Sequence, residues 1–300
     1  MTRRGEDAAA LVPAAFARDT AARPGGPEWL AAFPDLAADL LDRWDLRVDG
    51  TSRHGHVGVM IPVRSADGDA LALKVSRPSS EVDNQIAALA EWDERGTVRL
   101  AATDASRGAL LLERLNADRS LDDLEPAAAV EAAARLLRRL SVTASPGELP
   151  QLAEHVRVWP ERWVDEWEAL GRPLPRGLLD EAGEACRVLA AGAGGVLVDH
   201  DLHYRNVLAA GREPWLAIDP RGVIGDPEFA LGPLLWNRFA GRDEVASRLD
   251  RFVELAGLDG GKARGWTLVR AVDYFLWSTG AGLTWDPAAC REIIGVLTGP

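Results

Sequence analysis

The spacing of apolar residues changes twice along this chain. Over 29–44, Leu30, Phe33, Leu36, Leu40, Leu41 and Trp44 recur at helical spacing, and Pro24-Gly25-Gly26-Pro27 ends any helix begun near Leu11. After Gly50 the period shortens. Residues 57–63 and 70–75 read as two strands joined across Ala66-Asp67-Gly68-Asp69, where glycine supplies the positive φ of a hairpin turn. Ser80 is placed to cap a helix over about 81–95 with Val82, Ile86 and Leu89 on one face, and 108–113 reads as a buried strand. Beyond about residue 116 the helical period dominates, with helices expected over 126–140, 151–170, 176–191, 228–240, 243–256, 262–280 and after Pro287. Short apolar strands interrupt them at 196–198, 206–208 and 215–218, the last two joined by Ala210-Gly211-Arg212. The expected fold class is α+β, with a β-rich part over 1–115 and a mostly helical part over 116–300.

Composition removes several function classes. At 47% hydrophobic and 27% charged, the 300 residues are ordinary for a globular chain, which excludes disorder as the main state. Lys+Arg 34 against Asp+Glu 46 gives a net charge of −12, which argues against a nucleic-acid binder that follows phosphates. The same excess suits a cationic ligand, and equally suits plain solubility. Cys186 and Cys290 offer neither a disulfide framework nor metal spacing. The start Met1-Thr2-Arg3-Arg4 is basic, but Glu6 and Asp7 follow and no long apolar run appears, so a cytoplasmic protein without membrane association is expected. Oligomeric state leaves no readable pattern.

Chemistry concentrates in Asp199-His200-Asp201-Leu202-His203-Tyr204-Arg205-Asn206 and in Ile218-Asp219-Pro220-Arg221-Gly222. Each polar residue abuts a short strand, so a hairpin would bring Asn206 and Asp219 to one point. Two oxygen ligands there suit Mg²⁺, and a separate carboxylate, Asp201, could accept a hydroxyl proton. These are the components of phosphoryl transfer. His200, Asp201 and His203 also fit a transition-metal hydrolase, against which stands the lack of a second histidine cluster: His155 is isolated in sequence, and His54 and His56 lie far upstream. Trp159, Trp163 and Trp167 make a stripe at helical spacing that reads as core.

The Asp201/Asn206 spacing followed by a strand-borne Asp219 resembles the catalytic and metal-binding segments of protein-kinase-like folds. More narrowly, His200 to His203 and Trp215 to Gly222 resemble the aminoglycoside/hydroxyurea resistance kinase family, which includes streptomycin phosphotransferases. Leu73-Lys74-Val75, Leu111-Leu112-Glu113-Arg114-Leu115 and Gly232-Pro233-Leu234-Leu235-Trp236-Asn237 extend the likeness over roughly 11–240. The resemblance implies a bilobal kinase-like fold and transfer of the γ-phosphoryl group of ATP, with Mg²⁺, to an aminoglycoside hydroxyl. It implies Asp201 as catalytic base, Asn206 and Asp219 as metal ligands, and Lys74 as the phosphate-holding lysine. Glu113 to Leu115 match the adenine-binding hinge, and the turn carrying Gly55 and Gly58 matches the loop over the phosphates. Asp226, Trp236 and Trp277 are candidates for the acceptor side. Four positions depart from the pattern: Asp199 and His200 stand where His and Gly are usual, Gln85 stands where a glutamate would pair with Lys74, and Ala230 replaces an acidic residue. They keep open a nucleotide-binding, pseudokinase-like module, and hydroxyurea or another hydroxylated metabolite remains an alternative acceptor.

Overall fold

A computed structural model describes residues 10–145 and 147–299. The basic start at Met1–Arg4 lies outside them. The described residues form two compact units: the first runs to Glu94 and resumes over Val98–Leu115, and the second takes Arg95–Thr97 and everything from Asn116.

In the first unit, helices α1 (Ala14–Ala21) and α2 (Gly26–Arg43) precede strands β1 (Leu46–Val48), β2 (Arg53–His54), β3 (Gly58–Ser65) and β4 (Ala70–Ser76). Helix α3 (Ser80–Trp92) leads to β5 (Leu100–Asp104) and β6 (Ala109–Glu113). The sheet order is β1-β3-β4-β6-β5, with β2 pairing β3, and every pairing is antiparallel. Alternation explains its two faces. Val59, Ile61 and Val63 of β3 and Leu71, Leu73 and Val75 of β4 turn to a core shared with Phe33, Ala37 and Leu40 of α2. Lys74 has the opposite parity and is buried on the other face. The α3 cap is Ser79 rather than Ser80: the Ser79 hydroxyl accepts the Val82 N–H, and the chain leaves the helix through left-handed Asp93. Strand β5 escaped the pattern because Leu100-Ala101-Ala102-Thr103-Asp104 has little apolar contrast, and pairing with β6 supplies what propensity lacks.

In the second unit, β7 (Asn116–Ser120), α4 (Pro126–Leu140) and β8 (Val142–Thr143) are followed by α5 (Leu152–Val156), α6 (Trp159–Ala169) and α7 (Arg176–Ala191). Strands β9 (Val196–Asp199), β10 (Val207–Ala209), β11 (Trp215–Ala217) and β12 (Gly222–Gly225) come next, then α8 (Leu231–Trp236), α9 (Arg242–Ala256), α10 (Gly260–Gly280) and α11 (Trp285–Thr298). The single helix expected over 151–170 is two. Pro160 has no N–H to donate to the preceding turn, so it sits in the first turn of α6, where that donor is not needed. The helix expected over 228–240 is a 3₁₀ turn, Pro227–Ala230, followed by α8, which stops before left-handed Arg238. The tryptophan stripe Trp159, Trp163 and Trp167 is buried, and both cysteines are free and buried. Among the described residues no helix is long and apolar enough to cross a membrane.

Two small antiparallel sheets matter for the site. In one, β10 lies between β11 and β7; in the other, β9 lies between β12 and β8. Strand β12 pairs β9 with Gly222 opposite Asp199, and β11 pairs β10 with Ala217 opposite Val207. The chain therefore leaves β9 at Asp199 and returns to it at Gly222, with one hairpin between.

Candidate active site

The strand registers set the site. Because Val207 faces Ala217, the next pair inward is Asn206 and Ile218, whose N–H donates to the Asn206 carbonyl at 2.8 Å. Asp219 is the following residue, in the left-handed region at φ 52, a conformation that Asp tolerates better than most side chains. On the other side, the His200 N–H donates to the Arg221 carbonyl at 3.0 Å. Asp199, 1% exposed, accepts two backbone N–H groups on one oxygen, from Asp201 at 3.1 Å and from Arg221 at 3.0 Å. The segments carrying Asp201 and Asp219 are thus tied to each other by backbone bonds.

Asp201 remains partly exposed and faces Arg221, whose Nε lies 3.6 Å from its carboxylate. Burial pushes the Asp201 carboxyl upward, while the charges of His203, Arg221 and Arg270 oppose that shift. Burial likewise pushes the His203 imidazole down, against the pull of Asp201. The Asn206 side chain donates Nδ2 to the Asp201 carbonyl at 3.4 Å, which leaves its amide oxygen for a cation. An amide oxygen and the Asp219 carboxylate make an all-oxygen donor set, which fits Mg²⁺ and not a thiol- or imidazole-seeking metal.

His155 is not isolated, contrary to the expectation from sequence. Its ring centroid lies 5.1 Å from that of His200, and both rings pack on Phe229. Burial and the Arg270 charge hold His155 down at about 4, and His200 well below its ordinary range for the same reasons. These neutral, aromatic-packed rings act as core.

In the first unit, Lys74 Nζ donates to Gln85 Oε1 at 2.8 Å, so the glutamine on α3 meets the lysine as its position in the resemblance implies. The Gln85 Nε2 is buried without a partner. Gly55 and Gly58 flank the β2–β3 turn, closed by the Gly55 N–H on the Gly58 carbonyl at 3.0 Å. They differ in kind. A Cβ on Gly55 would meet nothing within 4 Å, whereas one on Gly58 would lie 2.2 Å from Ser76 Oγ. Gly58 is required by the approach of β4, while Gly55 leaves open space. Glu113 ends β6, its N–H bonded to the Arg99 carbonyl at 2.9 Å, and Leu115 closes the unit, half-buried.

Two acceptor candidates are buried. Asp226 is 2% exposed, and its oxygens accept from Gly194 N–H at 2.9 Å, Lys262 Nζ at 2.7 Å and Trp266 Nε1 at 2.9 Å. Its three partners tie it into the fold. Trp236 is 6% exposed beneath the Tyr274 ring. Trp277 is exposed. Sequence reading also missed Arg221 and Arg270 as neighbours of Asp201. Arg221 stood inside the motif without a role, and Arg270 had no local signal: its Nη2 reaches the His200 carbonyl at 2.8 Å from seventy residues away.

The family model for aminoglycoside/hydroxyurea antibiotic resistance kinases matches residues 43–282. The chain belongs to that family. It is 40% identical to a streptomycin 6-kinase of Streptomyces glaucescens, covering 88% of this chain and 89% of that protein. It is 42% identical to a hydroxyurea phosphotransferase of Kitasatospora aureofaciens, covering 91% of this chain and 81% of the relative. An ethanolamine kinase of Plasmodium vivax, 13% identical, superposes with a TM-score of 0.58 over 89% of this chain and 84% of its own. The fold of this family member is the bilobal protein-kinase-like one, with a β-rich N-lobe and a helical C-lobe, and its activity is that of a small-molecule phosphotransferase.

Proposed function

We propose that this kinase transfers the γ-phosphoryl group of ATP to a hydroxyl of streptomycin. Asp201 accepts the proton of the attacking hydroxyl as its oxygen bonds to phosphorus and the bridging P–O bond to ADP breaks. The charges of Arg221 and Arg270 oppose the upward push that burial gives the Asp201 carboxyl. Asn206 and Asp219 would hold Mg²⁺, which when bound neutralises charge gathered on the phosphate oxygens. Lys74, oriented by Gln85, holds the nucleotide phosphates, Gly55 and Gly58 shape the turn beside them, and the backbone of Glu113 to Leu115 receives the adenine.

What supports this reading most is the strand register that ties the Asp201 segment to the Asp219 segment through Asp199, with Asn206 beside both. The choice of acceptor is supported by the streptomycin 6-kinases of Streptomyces glaucescens and Streptomyces griseus, each matched over most of its length.

The test is incubation with γ-labelled ATP, Mg²⁺ and streptomycin, with Asp201→Ala alongside. Labelled streptomycin from the unaltered protein alone is expected. Equal labelling by Asp201→Ala would overturn the role of Asp201, and none from either would overturn the acceptor.

A further inference from the structure

Arg270, Tyr274 and Trp277 lie four and three residues apart on α10 and so share one helix face. The inner end of that face touches the catalytic segment. Arg270 donates to the His200 carbonyl, one residue before Asp201, with its guanidinium carbon 4.6 Å from the Phe229 centroid and 5.6 Å from that of Trp236. The outer end reaches solvent. Tyr274 is stacked between Trp236, at 4.5 Å and 15°, and Trp277, at 5.4 Å and 18°. Trp236 is 6% exposed and Trp277 56%, so three near-parallel rings run from the interior to an open outer face. Along the helix, seven residues from Arg270 to Trp277 span about 10 Å.

A carboxylate completes the arrangement. The Tyr274 hydroxyl donates to Asp286 Oδ1 at 3.0 Å, at the start of α11. Asp286 is partly exposed and has no Lys or Arg partner among the described residues. Next to it Trp285 is exposed, as is Leu283 in the α10–α11 turn. The remaining exposed large apolar side chains among the described residues, Val48, Val158 and Val188, lie singly and far apart in sequence. An exposed indole on a ring stack, beside a carboxylate with no cationic partner among the described residues, marks a ligand surface rather than scattered surface residues. The exposed face of Trp277, backed by the Tyr274 ring, and the Asp286 charge favour a planar cation over a neutral or anionic group.

We propose that Tyr274, Trp277 and Asp286 form an acceptor subsite that receives a guanidinium group of a hydroxylated cyclitol while its reacting hydroxyl lies at Asp201. The inference rests on Asp201 being the catalytic base, and it narrows the acceptor class. A polyol bearing guanidinium groups carries the planar cation that this surface selects, whereas a small neutral molecule such as hydroxyurea gains nothing from it.

The experiment uses the full-length protein and streptomycin as the probe, in two readouts: calorimetric binding without nucleotide, and steady-state KM for streptomycin and for ATP. Trp277→Ala removes an exposed ring and should leave the melting temperature unchanged. It is expected to weaken streptomycin binding and raise the streptomycin KM about ten-fold, with the ATP KM held within about two-fold. Trp277→Phe should restore most of the affinity, and Asp286→Asn should weaken it comparably and reduce its salt dependence. Unchanged streptomycin affinity in Trp277→Ala, or an equal rise in both KM values, overturns the subsite while leaving the phosphotransfer reading standing. Binding that depends on Trp277 without any phosphate transfer supports the subsite and overturns that reading instead. A protein that neither binds nor phosphorylates streptomycin overturns both.

Discussion

One oxygen of Asp199 accepts the N–H of Arg221, twenty-two residues further on, at 3.0 Å, and the same oxygen accepts the N–H of Asp201 at 3.1 Å. Its second oxygen is buried without a partner. Asp199 therefore fastens the catalytic segment to the strand that follows Asp219. A departure from the kinase pattern thus supplies a backbone tether of its own.

That tether needs an acceptor atom, not a charge. Asp199→Asn keeps the oxygen and should retain turnover within about three-fold. Asp199→Ala leaves two buried N–H groups unpaired, which costs roughly 1–3 kcal/mol each, and kcat should fall by about ten-fold or more while the ATP KM changes little. Steady-state kinetics on both variants decide it, and equal losses in the two would contradict a tether role.

Asp199 should also shape stability against pH. Burial pushes its carboxyl from 3.8 up to about 8, so the folded chain holds a proton that the unfolded chain releases between those values. Stability contributed by Asp199 is present at low pH and is lost as pH rises through about 8. His155 acts oppositely, being held down at about 4, so its contribution is lost as pH falls below 6.5. Between pH 6.5 and 8.5 the melting temperature should therefore decline, and the decline should flatten in Asp199→Asn. A parallel slope in the variant would rule Asp199 out as its source.

Gln85 presents its oxygen to Lys74 and leaves its amide nitrogen without a partner. Gln85→Ala removes this hydrogen bond to Lys74 and should raise the ATP KM about ten-fold, with little change in acceptor KM. Gln85→Glu should keep the ATP KM at or below the wild-type value, because a carboxylate adds charge pairing to the same hydrogen bond. An ATP KM unaffected by Gln85→Ala would remove Gln85 from the nucleotide site.

The two turn glycines should separate cleanly. Gly58→Ala forces a Cβ against Ser76 Oγ, and overpacking of this kind costs about 1–3 kcal/mol, visible as a lower melting temperature. Gly58→Ala combined with Ser76→Ala should recover part of it. Gly55→Ala meets open space and should melt as the wild type does, so any change in ATP KM there reports on nucleotide handling. Equal melting temperatures for the Gly55 and Gly58 variants would refute the packing argument.

Much of this protein was determined locally. The 2.0 and 3.6 periods place β3, β4, α4, α7, α9 and α10 within a few residues, because burial of one face selects those spacings whatever the distant partner is. The Asp201/Asn206 spacing and the hairpin leading to Asp219 are equally local, since turn and strand register bring them together. Tertiary structure decided what periodicity cannot encode. Nothing near Asp226 in sequence reveals that Lys262 and Trp266 arrive from α10 to occupy its carboxylate. Nothing near His155 places it on His200, and nothing near Asp201 announces Arg270. Short strands such as β8 and β12 have no pattern of their own and exist only because β9 lies between them. The physical reason is the same throughout: spacing along the chain sets which face a side chain occupies, but its partner across that face is chosen when separate elements pack.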